Sequence, residues 1–391
     1  MASLSRSVLA VALGVSFVSA PAIASPPVDI FAREAALQPS DSEGRLIVDA
    51  TFGRPGAIGR LRAALAKQPS KDFGREGWSF LCGDSYHTGS YKQAAADCTK
   101  AVALDPDNKD TLALAQTLTD VAAPGLEGSG ARLPIDAGAH ISVMAGDNAV
   151  VAIADTGAQI SVMMESVAAK SGVRIVGKSG NVGNTTTSVS GVTGVIPRVV
   201  IGKAVLTNLP VLVLPDEQLT LDEGRIKLPF ILSLYGLAQF GRIAWLDHGQ
   251  TLALGDQAPK LGPNAAPVFW HPAGVGIPLD GPGGRRGAHY DTGANASFFY
   301  EPGISLTSTE EQAGLIVTKR KIGGVGGIVE QDIRRFPLAT VGIAGLTLKL
   351  KDVDVAAASD TGDAARVGSD IFSQAGTVVL DFRTMKISAQ R

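Results

Sequence analysis

A four-residue phrase that occurs twice in matching surroundings restricts this chain more than any other feature. Asp155-Thr156-Gly157-Ala158 returns 136 residues later as Asp291-Thr292-Gly293-Ala294. Each copy follows a mostly apolar run and is followed three residues on by a serine, Ser161 and Ser297. Each then leads to a glycine-rich stretch, 180–194 and 323–327. The closing phrases also agree. Leu237-Ala238-Gln239-Phe240-Gly241 before Leu246-Asp247 matches Phe372-Ser373-Gln374-Ala375-Gly376 before Leu380-Asp381, at offsets of 135 and 134. Agreement at three separated places is hard to reach by chance. Residues 132–391 are therefore expected to build two like units.

Length and composition fit that expectation. The chain has 391 residues, which implies two or three domains, and 45% of them are hydrophobic, enough for sizeable cores. Only 18% are charged and the net charge is −2, so nothing points to nucleic acid or an anionic membrane surface as a partner. Forty-six glycines among short Val, Thr and Ala runs favour short strands joined by tight turns.

The N-terminus has a different texture. Arg6, the apolar stretch 8–18 and the small-x-small site Ala22-Ile23-Ala24 have the layout of an export signal cleaved after Ala24. The alternative, an uncleaved anchor, needs a longer apolar run. No later segment is apolar enough for long enough to span a bilayer, so the expected location is periplasmic or secreted. Residues 25–57, with Pro26, Pro27, Pro39 and Pro55, are expected to be a loosely structured leader holding one short helix at 31–37.

Helical spacing begins near Ile58 and continues to 122. Within it, Trp78, Leu81, Ala94, Ala101 and Pro106 resemble one tetratricopeptide repeat, which implies two antiparallel helices over 75–107. A third helix is expected at 111–121. A single repeat reads first as a cap on the main body and second as a site for a protein partner. Cys82 and Cys98 fall on facing helices, and in an oxidising compartment they are a candidate disulfide. With only His87 nearby they do not make a zinc set.

Residues 122–131 and 257–266 are linkers by composition, bounding expected units at 132–257 and 267–391. Short β-type runs fill both units. In the first they fall at 149–154, 198–201, 204–206 and 211–214. In the second they fall at 287–290, 315–318, 336–341, 346–350 and 377–387. Helical stretches are few: 163–170, 234–240 and 370–374.

On these residues, 132–391 resembles the retropepsin-like aspartic peptidases, in the two-lobed form of pepsin. The resemblance implies a mainly β fold, two tandem acid-protease β-barrel lobes behind the small helical region, each giving one Asp-Thr-Gly loop. It implies a dyad of Asp155 and Asp291 that hydrolyses peptide bonds in a peptide or protein substrate without any cofactor or metal. Thr156 and Thr292 would hydrogen-bond across the lobes. Gly157 and Gly293 would allow the tight turns, with Ala158 and Ala294 small enough to sit beneath. Gly191, Gly194, Gly323, Gly324, Gly326 and Gly327 would belong to flaps, since glycine lets a covering loop bend. Val367-Gly368-Ser369-Asp370 resembles the family's apolar-Gly element, and Ser233 departs from it where Gly368 conforms. That departure keeps open a second reading, a catalytically inactive peptide-binding or scaffold protein on the same fold.

The chemistry needs these groups for a plain reason. Two carboxyls about 3 Å apart cannot both ionise, so they share a proton. The ionised one takes a proton from water while the other donates to the substrate carbonyl. A third phrase, Asp360-Thr361-Gly362, has no apolar run before it and reads as a surface turn. Among the histidines, His87, His140, His248, His271 and His289, no metal-spaced pair exists. His289 reads as structural. Ser161 and Ser297 could donate to the nearby carboxylates, but no histidine stands ready to make either a nucleophile.

Overall fold

The computed structural model describes residues 10–11, 29–38, 40–67, 69–136, 139–182, 189–221, 224–272, 274–324, 327–356 and 361–391. The expected export signal and its cleavage site lie outside these residues, Ala10 and Val11 excepted, as do Gly326 and Asp360. The protein is mainly β behind a helical N-terminal region.

After a two-residue strand, Ala10–Val11, six helices follow among the described residues: α1 (Ile30–Ala36), α2 (Ser42–Thr51), α3 (Ala57–Leu65), α4 (Lys71–His87), α5 (Tyr91–Leu104) and α6 (Lys109–Thr119). Their starts are local. Asp29, Ser70 and Asn108 accept the first free N–H groups of α1, α4 and α6. Helix α2 corrects the expectation of a loose leader. Pro39 and Pro55 bracket it rather than interrupt it, and it buries Ile47, Val48 and Ala50. Two of these join Leu61, Leu65, Trp78 and Leu81 in a helical core. The Sγ atoms of Cys82 on α4 and Cys98 on α5 are bonded. Beside them the fully buried Asp97 receives Arg62 at 2.6 and 2.8 Å and the Ser85 hydroxyl at 3.0 Å. These donors offset the cost of burying its charge.

Two closed six-stranded rings follow, and they pair in the same order. The first runs Val189–Ile201, Ala204–Leu214, Ser161–Met164, Phe230–Ser233, Asn148–Asp155 and His140–Ala145, and closes back onto Val189–Ile201. The second runs Gly327–Ile343, Leu346–Ala356, Phe298–Tyr300, Ala365–Val367, Gly284–Tyr290 and Gly274–Gly281, and closes through Asp280 opposite Gly342. In both, the strand that runs into the Asp-Thr-Gly loop pairs in parallel with a short strand from the end of its half. Ile231 faces Ile153 and Ser233 faces Asp155; Arg366 faces His289 and Val367 faces Tyr290. An outer arm lies on each ring, Arg174–Val182 and Ile316–Gly324. One strand, Ala204–Leu214, replaces the two short runs expected there. Asn208 at φ 56° bends it without ending it, and its pairing to 192–201 continues past Pro210.

A third sheet joins everything. Its antiparallel order is Ala266–Pro267, Lys386–Gln390, Thr377–Asp381, Arg242–Leu246, Thr251–Gly255 and Gly130–Pro134. The central pair brings one closing strand from each half together, Ala244 against Val379 and Trp245 against Val378. The segment 122–131 is thus not only a connection: Gly125–Glu127 and Gly130–Pro134 both pair as strands. Trp245 stacks on Phe372 at 5.7 Å and meets Tyr290 edge-on at 5.9 Å. Tyr290, Phe230, Phe240, Phe299 and Phe336 are fully buried, each of the four phenylalanines contributing about 1.5–3 kcal/mol by leaving water. The helical region packs onto this body. His87 sits 3.9 Å from the Tyr235 ring and 4.4 Å from Trp270, and Phe31 and Phe52 pack on Phe269.

Candidate active site

The two Asp-Thr-Gly loops meet where the two rings face each other. The strands Asn148–Asp155 and Gly284–Tyr290 turn inward as they reach the loops, and Asp155 and Asp291 are fully buried. The loops interlock through their threonines. The Thr156 hydroxyl donates to the Tyr290 carbonyl at 2.7 Å and accepts the Thr292 N–H at 3.0 Å. The Thr292 hydroxyl donates to the Ala154 carbonyl at 2.8 Å and accepts the Thr156 N–H at 3.1 Å. Four buried hydrogen bonds therefore cross between segments some 136 residues apart.

The glycines report how close the loops come. A Cβ on Gly157 would lie 2.4 Å from Cγ of Asp291, and a Cβ on Gly293 would lie 2.4 Å from Cγ of Asp155. Each carboxyl thus occupies the volume that any side chain on the opposite loop would need. The Gly157 N–H donates to Oδ1 of Asp155 at 2.7 Å; those of Gly293 and Ala294 donate to Oδ1 of Asp291 at 3.1 and 3.0 Å. Oδ2 of each aspartate is buried and accepts no hydrogen bond. Burial first, and the charge of Asp291 next, push the Asp155 carboxyl well above the usual carboxylate range, against the pull of the Gly157 N–H. Ala158 and Ala294 are buried beneath the loops.

The two serines brace the loops rather than donating to Asp155 or Asp291. The Ser161 hydroxyl meets that of Ser233 at 3.1 Å and accepts the Ser233 N–H at 3.2 Å. The Ser297 hydroxyl accepts the Gly368 N–H at 3.0 Å and donates to Asp370 at 2.6 Å. Ser233 and Gly368 thus stand in equivalent places with the same backbone bond. Gly368 is forced to be glycine, because a Cβ would lie 2.8 Å from the Ala294 carbonyl oxygen and 2.7 Å from the Ala296 carbonyl carbon. Ser233 instead uses its side chain, which also accepts the Gly236 N–H at 3.4 Å.

Of the flap candidates, Gly191 and Gly194 lie within the strand Val189–Ile201 rather than at a turn. A Cβ on Gly191 would lie 2.5 Å from the Val213 carbonyl oxygen. Gly323, Gly324 and Gly327 flank a hairpin, where Gly324 pairs with Gly327. Thr361 and Gly362, from the third phrase, form a turn whose next residue, Asp363, is buried 2.6 Å from Nε2 of His271. His271 stacks on His289 at 4.8 Å. The region is therefore less of a surface turn than its composition suggests.

Sequence reading overlooked Arg366. Its Nη1 lies 3.3 Å from Oδ2 of Asp291, its side chain is 14% exposed, and its guanidinium sits 5.4 Å from the Phe298 ring centre. Burial opposes its charge, but Tyr300, Asp291, Asp155 and Asp363 more than compensate. The available signal was a single cation inside an otherwise apolar three-residue strand.

Residues 132–227 match the family model described as aspartyl protease. Among solved structures, the chain is similar to a retropepsin-like aspartic protease from Rickettsia conorii, at 18% identity and a TM-score of 0.23, covering 34% of this chain and 92% of that one. No curated protein matches the chain.

Proposed function

We propose that this chain is an exported aspartic-type peptidase, two-lobed by tandem duplication, that hydrolyses peptide bonds with a water activated between Asp155 and Asp291. One observation carries the reading: each loop glycine cedes its Cβ volume to the other loop's carboxyl, so two fully buried carboxyls are held at one interlocked junction. Such a pair holds one proton. The ionised carboxylate takes a proton from water as the water oxygen attacks the carbonyl carbon. The protonated carboxyl gives its proton to the carbonyl oxygen, forming a gem-diol. The roles then exchange: the amide nitrogen is protonated, the C–N bond breaks, and a carboxylic acid and an amine leave.

The match of 132–227 to the aspartyl protease model adds to this reading for the first half. The common strand order of the two rings, and their shared sheet, support the duplication. The test uses protein beginning at Ser25, incubated with a mixed peptide library. Cleavage is expected, with loss in Asp155→Asn and in Asp291→Asn and inhibition by pepstatin-type compounds. Cleavage that survives both substitutions removes the reading. Peptide binding without cleavage replaces it with an inactive binder.

A further inference from the structure

We propose that Arg366 breaks the symmetry of the acid pair, holding Asp291 as the carboxylate that activates water and leaving the shared proton on Asp155. The inference rests on the peptidase reading for its chemistry but not for its geometry. The two rings pair alike, so equivalent positions can be compared. Two residues before each aspartate the parallel partner is Ile231 in one ring and Arg366 in the other. Ile231 sits in an apolar cluster with Ile153, Ile160 and Val162. Arg366 puts Nη1 3.3 Å from the outer oxygen of Asp291, and neither Nε nor Nη1 makes a hydrogen bond. Among the described residues Asp155 makes no ion pair. An otherwise two-fold arrangement therefore carries one cation on one side.

The other groups facing Arg366 do not cancel this bias. Tyr300 stands on the neighbouring strand, its phenol pushed up by burial, with Arg366 pulling the other way. Asp363, in the turn before Arg366, is engaged by His271 at 2.6 Å and by the Thr361 hydroxyl. His289 is opposite Arg366 in register and stacks on His271. Asp291 is the carboxylate in ion-pair distance of Arg366. With the cation there, the charged form of Asp291 is favoured and the proton goes to Asp155, which burial already disfavours as an anion. Asp291 then accepts the water proton, Asp155 donates to the carbonyl oxygen, and both reverse as the amine leaves.

The experiment has two arms. In the first, kcat/KM is followed against pH for the wild type, Arg366→Lys and Arg366→Met on one peptide. A cation lowers both titration steps of the pair, so its loss should move both limbs of the profile to higher pH by about one to three units. Arg366→Lys should stay near the wild type. Limbs that do not move in Arg366→Met overturn the proposal. The second arm needs no turnover and keeps Arg366. The remaining carboxyl is titrated by carbon-13 NMR in Asp155→Asn and in Asp291→Asn. Asp291 should titrate well below Asp155, and the reverse order overturns the proposal. A wild type that cleaves nothing removes the peptidase reading, while the NMR order still decides where the proton sits.

Discussion

Thr156 and Thr292 each donate to a backbone carbonyl of the opposite half and accept the other's N–H, so neither loop is positioned without its counterpart. Thr156→Ala removes one donor and one acceptor and leaves the Tyr290 carbonyl and the Thr292 N–H buried without partners. The expected loss is about 2–4 kcal/mol of unfolding free energy, from two stranded groups at about 1–2 kcal/mol each. Thr156→Ser keeps the hydroxyl and should recover most of it. Denaturant unfolding of the three proteins checks this, and equal stability of the Ala and Ser variants would refute it.

The glycines test the separation of the acids directly. Gly157→Ala and Gly293→Ala each place a methyl where the opposite carboxyl now lies, 2.4 Å away. The loops must part by about 1 Å, a displacement of the size that costs on the order of 100-fold in rate. Peptide hydrolysis should fall by at least that factor in both variants, with circular dichroism unchanged. Activity within a few-fold of the wild type would show that the acids do not act together.

Asp155 gives a prediction about stability rather than rate. Its carboxyl is raised in the folded protein, above the ordinary value of 3.8. A raised acid contributes stability that is fully present below the unfolded value and is lost as pH rises through the folded one. Asp155→Asn removes that dependence. The variant should match the wild type near pH 4 and be the more stable of the two at neutral pH. Thermal melts at the two pH values give the comparison, and a variant less stable at neutral pH contradicts it.

Ser233 and Gly368 stand in equivalent places but should not be interchangeable. Gly368→Ser drives a Cβ into the Ala294 and Ala296 backbone, which cannot yield as a side chain end would. A loss above about 2 kcal/mol is expected, in the range of overpacked sites. Ser233→Gly loses the hydroxyl contacts to Ser161 and Gly236, worth about 1–2 kcal/mol together. The order of the two melting points decides the matter.

The repeated phrases made the two loops and the strands leading into them legible, because local spacing carries that information. What escaped depends on contacts between distant segments. Ser233 looked like a defect because the need for glycine at 368 comes from the Ala294 and Ala296 backbone, some seventy residues earlier. Arg366 went unnoticed because its place beside Asp291 is set by parallel pairing with the strand Gly284–Tyr290. Helix α2 was hidden by flanking prolines, which are a boundary signal as often as a disruption. Sequence proximity left the hydroxyls of Ser161 and Ser297 within reach of the loop acids, whereas the fold gives Ser161 the Ser233 hydroxyl and N–H and gives Ser297 the Gly368 N–H and the Asp370 carboxylate.

The strands Arg242–Leu246 and Thr377–Asp381 hold the middle of one continuous sheet. Severing the chain between residues 257 and 266 would leave each fragment with a naked ladder of unpaired amides ending in bulky apolar side chains such as Trp245. Neither fragment is expected to stay dispersed by itself. Mixed together, they offer each other the edge that completes them, so reconstitution from two separately made pieces becomes a natural property of this architecture.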